Sequence, residues 1–218
     1  MHPGKKAAAH AALSYVEEDS LLGVGSGSTV NIFIELLAAS GIRVGGCVAS
    51  SVATANLLEQ HNFKLMDLNQ SGQLELYIDG ADEVNPDMQL IKGGGGALTR
   101  EKIVAGASKR FICIIDESKE VDVLGSFALP VEIIPMARSF VSREIVKLGA
   151  DPEYREGPPT DNGNVIVDCH GFQITDAVHL ETEINAIPGV VTNGLFARRA
   201  ANEIIIGKDN GQVQTRSG

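Results

Sequence analysis

Strand-like and helix-like segments alternate through the first 115 residues, and the strands read as unbroken apolar runs such as LLGVG (21–25) and FICII (111–115). A strand of that kind is buried on both faces, which requires a parallel sheet covered by helices on either side. The helices carry the matching periodicity. Ala9, Ala12, Leu13 and Val16 share one helical face, as do Val30, Phe33, Ile34 and Leu37, with Gly41 placed to stop the second helix. A strand around Val44–Ala49, a helix over 51–61, strands at 63–67 and 74–79 and a helix over 97–108 complete the alternation.

Past Phe127 the order changes. LPVEIIP reads as a strand, and Ala137, Val141, Ile145 and Leu148 mark a helix. A strand near Glu153–Arg155 and another at NVIVDCH follow. A helix through Ala177, Leu180, Ile184 and Ile187 then leads to a last strand, VVTNGLF. That is the β-α-β-β-α-β order of a ferredoxin-like unit. Its weakest element lies in DPEYREGPPTDNG, which is mostly turn chemistry. The tail, NEIIIGKDNGQVQT, predicts a hairpin around Asp209–Gly211 that returns to the first domain. The expected fold is a Rossmann-like parallel-sheet domain (residues 1–127 with 203–218) plus a smaller ferredoxin-like α+β domain (residues 128–202).

Composition narrows the function classes. A net charge of −10 over 218 residues argues against non-specific nucleic-acid binding, and an anionic ligand must be caught by a local positive site. No apolar run approaches the roughly 20 residues that span a bilayer. The N-terminal MHPGKKAAAHAALSY lacks the apolar core and cleavage site of an export signal and reads as a helix. Cys47, Cys113 and Cys169 lie in apolar runs without metal-binding spacing, so they read as buried reduced thiols of a cytosolic protein.

Ligands of open parallel sheets bind at the carboxyl ends of the strands. Three polar clusters fall there: GSGST (25–29), DGADE (79–83) and DESK (116–119). GVGSGST fails the dinucleotide fingerprint, with Ser28 or Val30 where the last glycine belongs, and no Gly-Lys-Ser/Thr follows. It admits two readings: an anion site of backbone N–H groups and hydroxyls, or a turn in which Ser28 or Thr29 caps the helix. SSVAT (50–54) admits the same two and fits the cap better. Asp79 and Asp82 are close enough in sequence to divide acid and base duties, while Glu83 and Asp87 read as solvated. Ala81 stands where an EF-hand calcium loop needs a ligand, so that site is excluded.

KGGGG (92–96) is the most specific element. Each ordered glycine costs up to ~1 kcal/mol against alanine, so four in a row, flanked by charges, fit backbone brought close to a ligand, with Lys92 as point charge, better than a flexible hinge. Glu101, on the following helix, has Ala97, Leu98, Val104 and Ala105 as its neighbours, and none can pair with it. Ile103 falls on the opposite side, so the helix is not cleanly amphipathic and two readings stand: a glutamate that snorkels to water or, the better fit, a desolvated carboxylate suited to be a general base. Lys119, beyond FICII, is a second candidate anion contact.

GSGST, SSVAT, DGADEVNPDMQLIKGGGGALTREK, DESK, LPVEIIPMA and NAIPGVVTNGLF together resemble the ribose-5-phosphate isomerase family of the A type, over essentially the whole chain from about Lys5. Ser26 stands where that family commonly has threonine. The resemblance implies cofactor-free and metal-free interconversion of ribose 5-phosphate and ribulose 5-phosphate in the pentose phosphate pathway, by a cytoplasmic homodimer or tetramer. It implies Glu101 as the base that moves a proton between C1 and C2. Asp79 would assist ring opening with Asp82 nearby, and Lys92 would stabilise the enediolate oxygen. Ser26, Gly27, Ser28, Thr29, Asp79, Gly80, Ala81, Asp82, Lys92, Gly93, Gly94, Gly95 and Lys119 would contact the sugar phosphate. The alternative is a sugar-phosphate sensor without turnover. About 20 residues precede the first strand, too few for a helix-turn-helix and linker. A nucleotide-linked oxidoreductase is disfavoured by the broken glycine fingerprint.

Overall fold

The computed structural model describes residues 2–218. The chain forms two compact units. The first comprises the chain up to Ala81, Arg100–Lys119 and Ala201–Gly218; the second comprises Asp82–Thr99 and Glu120–Ala200. Residues 82–99 and 120–127, expected in the first domain, thus cluster with the second unit.

The first unit is built on a six-stranded sheet. Its strands are β1 (Leu21–Val24), β2 (Gly46–Ala49), β3 (Leu74–Asp79), β6 (Ser108–Asp116), β12 (Glu203–Gly207) and β13 (Val213–Ser217). They lie in the order β13-β12-β6-β3-β1-β2, and all pairs are parallel except the terminal β12–β13 hairpin. Helices α1 (Pro3–Ala12), α2 (Ser28–Ser40), α3 (Val52–Gln60) and α4 (Leu68–Ser71) connect or precede these strands. α5 (Leu98–Gly106) leads into β6. Val30, Phe33, Ile34 and Leu37 of α2 pack with Ala8, Ala9 and Ala12 of α1 on Leu22, Val24, Leu76, Ile78, Ile112 and Ile114. Burying each large side chain contributes about 1.5–3 kcal/mol. The helix stops at Gly41, whose φ of 79° is left-handed. Alternate strand residues face the other way, where Val104 of α5 lies over Gly23 beside Tyr77.

The second unit holds two antiparallel sheets. The larger is formed by β7 (Leu129–Ile133), β8 (Asp151–Tyr154), β9 (Val165–His170) and β10 (Val190–Asn193), ordered β10-β7-β9-β8. With α6 (Arg138–Lys147) and α7 (Ala177–Asn185) these strands give the β-α-β-β-α-β unit expected. The smaller sheet joins β4 (Glu83–Val84), β5 (Leu90–Ile91) and β11 (Leu195–Phe196). The single last strand expected at VVTNGLF is therefore divided. Gly194 separates its halves because its N–H donates to the Pro130 carbonyl while its own carbonyl accepts from the Lys92 N–H.

The strand expected at 63–67 is absent. That segment runs beside β2 through one bridge, Cys47 to Leu65, and Asp67 then turns it into α4 by accepting from the Asn69 N–H at 2.7 Å. The cysteines are buried and form no disulfide, and desolvation pushes the Cys47 and Cys169 thiols up to about 12. Among the described residues, no helix is long and apolar enough to cross a membrane.

α1 lies close on β12 at a pair of glycines. A Cβ on Gly207 would stand 1.9 Å from the Gly4 carbonyl oxygen and 2.9 Å from the Ala8 nitrogen. Gly207→Ala should therefore destabilise the protein by about 3 kcal/mol in equilibrium urea unfolding, since only backbone can yield. Gly106→Ala, which meets nothing within 4 Å, should not lose stability.

Candidate active site

Counting only the parallel strands, the first sheet reads β2-β1-β3-β6-β12, so the chain reverses direction across the sheet between β1 and β3. The crevice beyond the carboxyl ends of such a pair is where open α/β sheets take ligands. Asp79 is the last residue of β3, and Ser26 follows β1 by two residues. GSGST, DGADE and DESK thus follow three neighbouring strands, β1, β3 and β6.

Asp79 has no exposed surface. Its Oδ1 accepts from the backbone N–H of Ser26 at 3.0 Å and of Gly80 at 2.7 Å, and the Tyr77 hydroxyl donates to Oδ2. Gly25 admits this arrangement, because a Cβ there would fall 2.0 Å from the Asp79 carboxylate. Burial, then the charges of Asp79 and Glu101, hold the Tyr77 hydroxyl well above its usual range, so it stays a donor.

Ser26 joins two carboxylates. Its N–H serves Asp79, and its hydroxyl donates to Glu101 Oε1 at 2.6 Å. Glu101 lies on α5 and is 3% exposed. The partner that residue spacing along the helix does not reveal lies across the sheet end, in Ser26. The exposed Ile103 marks the other face of α5.

The helix-cap reading of GSGST does not hold. α2 begins at Ser28 with Gly27 as N-cap at φ 94°, a conformation open to glycine that brings no capping side chain. The Ser28 hydroxyl instead accepts from Lys5 Nζ at 3.0 Å. Thr29 is buried at the first turn. SSVAT is a cap as expected, with Ser51 Oγ accepting from the Thr54 N–H at 3.0 Å. Thr54 Oγ1 then donates to the Gly25 carbonyl at 2.7 Å, so the cap also braces the glycine loop. Ala81 is half-buried after Gly80, and Lys119 ends a 3-10 turn after β6. Burial opposes the charge on Asp116, yet the Ser118 N–H and hydroxyl both donate to it and hold its carboxyl below the usual range.

Asp82, Lys92 and the glycine turn belong to the second unit. Asp82 Oδ2 accepts from the Gly94 N–H at 2.8 Å, and a Cβ on Gly94 would fall 2.8 Å from Asp82 Oδ1. Lys92 is 3% exposed, with its ammonium 5.7 Å from the centre of the Phe196 ring. Gly93 and Gly96 close a turn, Gly96 N–H donating to the Gly93 carbonyl at 2.9 Å, and Gly95 stands at its outer corner. Glu83 corrects the solvated reading. It is buried and accepts from the Gly125 and Phe127 N–H groups at 2.8 and 2.5 Å. Asp87 is exposed. Lys5 was not foreseen; its place in the first turn of a helix ahead of β1 gives no local hint of Ser28. Among the described residues, no three His, Cys, Asp or Glu side chains gather as a metal-ligand set would require.

A family model described as ribose 5-phosphate isomerase A (phosphoriboisomerase A) matches residues 46–211. The chain is 48% identical to ribose 5 phosphate isomerase A from Neisseria gonorrhoeae, whose crystal structure it matches with a TM-score of 0.96 over 98% of this chain and 95% of that one. A D-ribose-5-phosphate isomerase in complex with phospho-erythronic acid is 38% identical, with a TM-score of 0.94 over 98% and 97%. The ribose 5-phosphate isomerase of Methanocaldococcus jannaschii is 36% identical, with a TM-score of 0.92 over 98% of each chain.

Removing the buried donor to Asp79 tests how that carboxylate is held. Tyr77→Phe keeps the ring and should cost about 2 kcal/mol in equilibrium unfolding, the range for a lost bond to a charged group. An unchanged midpoint would mean that the hydroxyl is not needed to bury Asp79.

Proposed function

The chain belongs to the ribose 5-phosphate isomerase A family, and from this we propose that it interconverts D-ribose 5-phosphate and D-ribulose 5-phosphate through an enediolate, with Glu101 as the general base. The observation that carries this reading is the pair of buried carboxylates joined through Ser26 at the ends of β1 and β3. An aldose–ketose shift removes a proton from one carbon and returns it to the next. One carboxylate can do both, provided that the charge left on oxygen between the two transfers is stabilised.

In this reading Asp79 assists ring opening, with Asp82 beside it in the chain. Its fixed orientation suits a group that must meet one hydroxyl of the sugar. Lys92 stabilises the enediolate oxygen as a point charge. Ser26–Thr29, Asp79–Asp82, Lys92–Gly95 and Lys119 bind the sugar phosphate, and Lys5 joins the phosphate set through Ser28. Helix α2 contributes its N-terminus, where aligned N–H groups favour an anion. These local cations and amides work against a net charge of −10. Phospho-erythronic acid, which a relative binds, carries a planar carboxylate where the substrate would carry its enediolate, and this supports the same intermediate. The reading extends to a cofactor-free homodimer of the cytosol, serving the non-oxidative pentose phosphate pathway.

Incubated with ribose 5-phosphate in heavy water, the protein should wash deuterium into C2, as followed by proton NMR. Glu101→Gln should lower both exchange and turnover by about 10²–10⁴-fold, the usual worth of a positioned base, with the fold retained. Wild-type turnover in that variant would remove Glu101 from the mechanism.

A further inference from the structure

The glycine turn after Lys92 has no side chains with which to order itself, yet it is held on two sides. Arg155 follows β8, and Asp168 lies on the neighbouring β9. Arg155 Nε and Nη2 donate to the two carboxylate oxygens of Asp168 at 2.8 and 2.5 Å. The guanidinium is planar, so fixing that edge aims the remaining nitrogen. Nη1 donates to the carbonyls of Gly93 at 2.9 Å and Gly94 at 3.2 Å.

The directions of these bonds carry the consequence. In a planar trans peptide the C=O of one residue and the N–H of the next point opposite ways. The Gly93–Gly94 peptide is therefore held between a cation and an anion, Arg155 on its carbonyl and Asp82 on its N–H at 2.8 Å. The following peptide has its carbonyl turned to Arg155, so the Gly95 N–H points away from the guanidinium. A Cβ on Gly95 would meet nothing within 4 Å, so this donor belongs to a residue with open space around it.

We propose that Arg155, locked by Asp168, is a positioning residue for the isomerisation, orienting the Gly93–Gly95 backbone donors without touching substrate. This rests on the reading above, in which that turn meets the sugar phosphate. Donors aimed in advance at an oxyanion act mainly on the transition state, so their loss lowers kcat more than it raises KM. A residue serving only the stability of the β8–β9 edge would leave both constants alone.

The test compares wild type, Arg155→Ala and Arg155→Lys by steady-state kinetics on ribose 5-phosphate and by hydrogen-exchange mass spectrometry of peptides covering 92–98. Arg155→Ala should lower kcat about tenfold or more with KM within about threefold, and amides 94–96 should exchange about tenfold faster while other regions are unchanged. Arg155→Lys keeps charge without the fork and should show the same pattern at smaller size. If the alanine variant fails to fold, the lysine variant decides by the same two readings. Wild-type kcat in the folded variants, with or without faster exchange, overturns the proposal. Wild-type turnover of ribose 5-phosphate judges the isomerase reading separately, because the clamp is judged by differences between variant and wild type.

Discussion

A carboxylate without exposed surface ends the central strand of the larger sheet, and the neighbouring site geometry is arranged around it. Burying the Asp79 charge would cost several kcal/mol if it were left bare. Two backbone N–H groups and the Tyr77 hydroxyl offset that cost, and each donor constrains its surroundings. The Ser26 N–H can reach Asp79 only because position 25 has no side chain. Ser26, held there by its backbone, has its hydroxyl left for Glu101. The GSGST turn thus starts from electrostatic bookkeeping at a strand end, and the orientation of the second carboxylate follows from it.

The second unit solves a related problem with different means. Its glycine turn has no side chains, and so lacks the usual sources of order. Asp82 and Arg155 restore that order from outside, through one peptide group. The buried acids of this unit, Glu83, Glu132 and Glu181, follow the same economy. Glu83 and Glu181 accept from backbone N–H groups, and Glu132 accepts from Thr160, Asn162 and Asn164 side chains. Such carboxylates serve as fixed acceptors for loops that no sheet ladder can satisfy.

What was legible in the sequence divides along physical lines. Apolar periodicity reports which face of an element is buried, so α2, β6, α6 and α7 are readable from local spacing. The clusters at the ends of β1, β3 and β6 are readable for the same reason, once the sheet is seen to be parallel. Partners far along the chain are not. Glu101 looked unpaired because its bond to Ser26 spans 75 residues, and Glu83 looked solvated because its donors lie 42 and 44 residues on. Residues 63–67 carry a strand-like composition but sit at a sheet edge, where Asp67 redirects the backbone into a helix. The turn chemistry before β9 concealed Arg155, whose role depends on a strand pairing that composition does not reveal.

The most direct measurement of the central claim is a crystal structure with ribose 5-phosphate or its four-carbon acid analogue bound. The account predicts a Glu101 carboxylate oxygen within about 3–3.5 Å of the carbons that exchange the proton, the separation from which transfer proceeds. A ligand whose reacting carbons lie far from Glu101, with that side chain facing protein on every side, would contradict it.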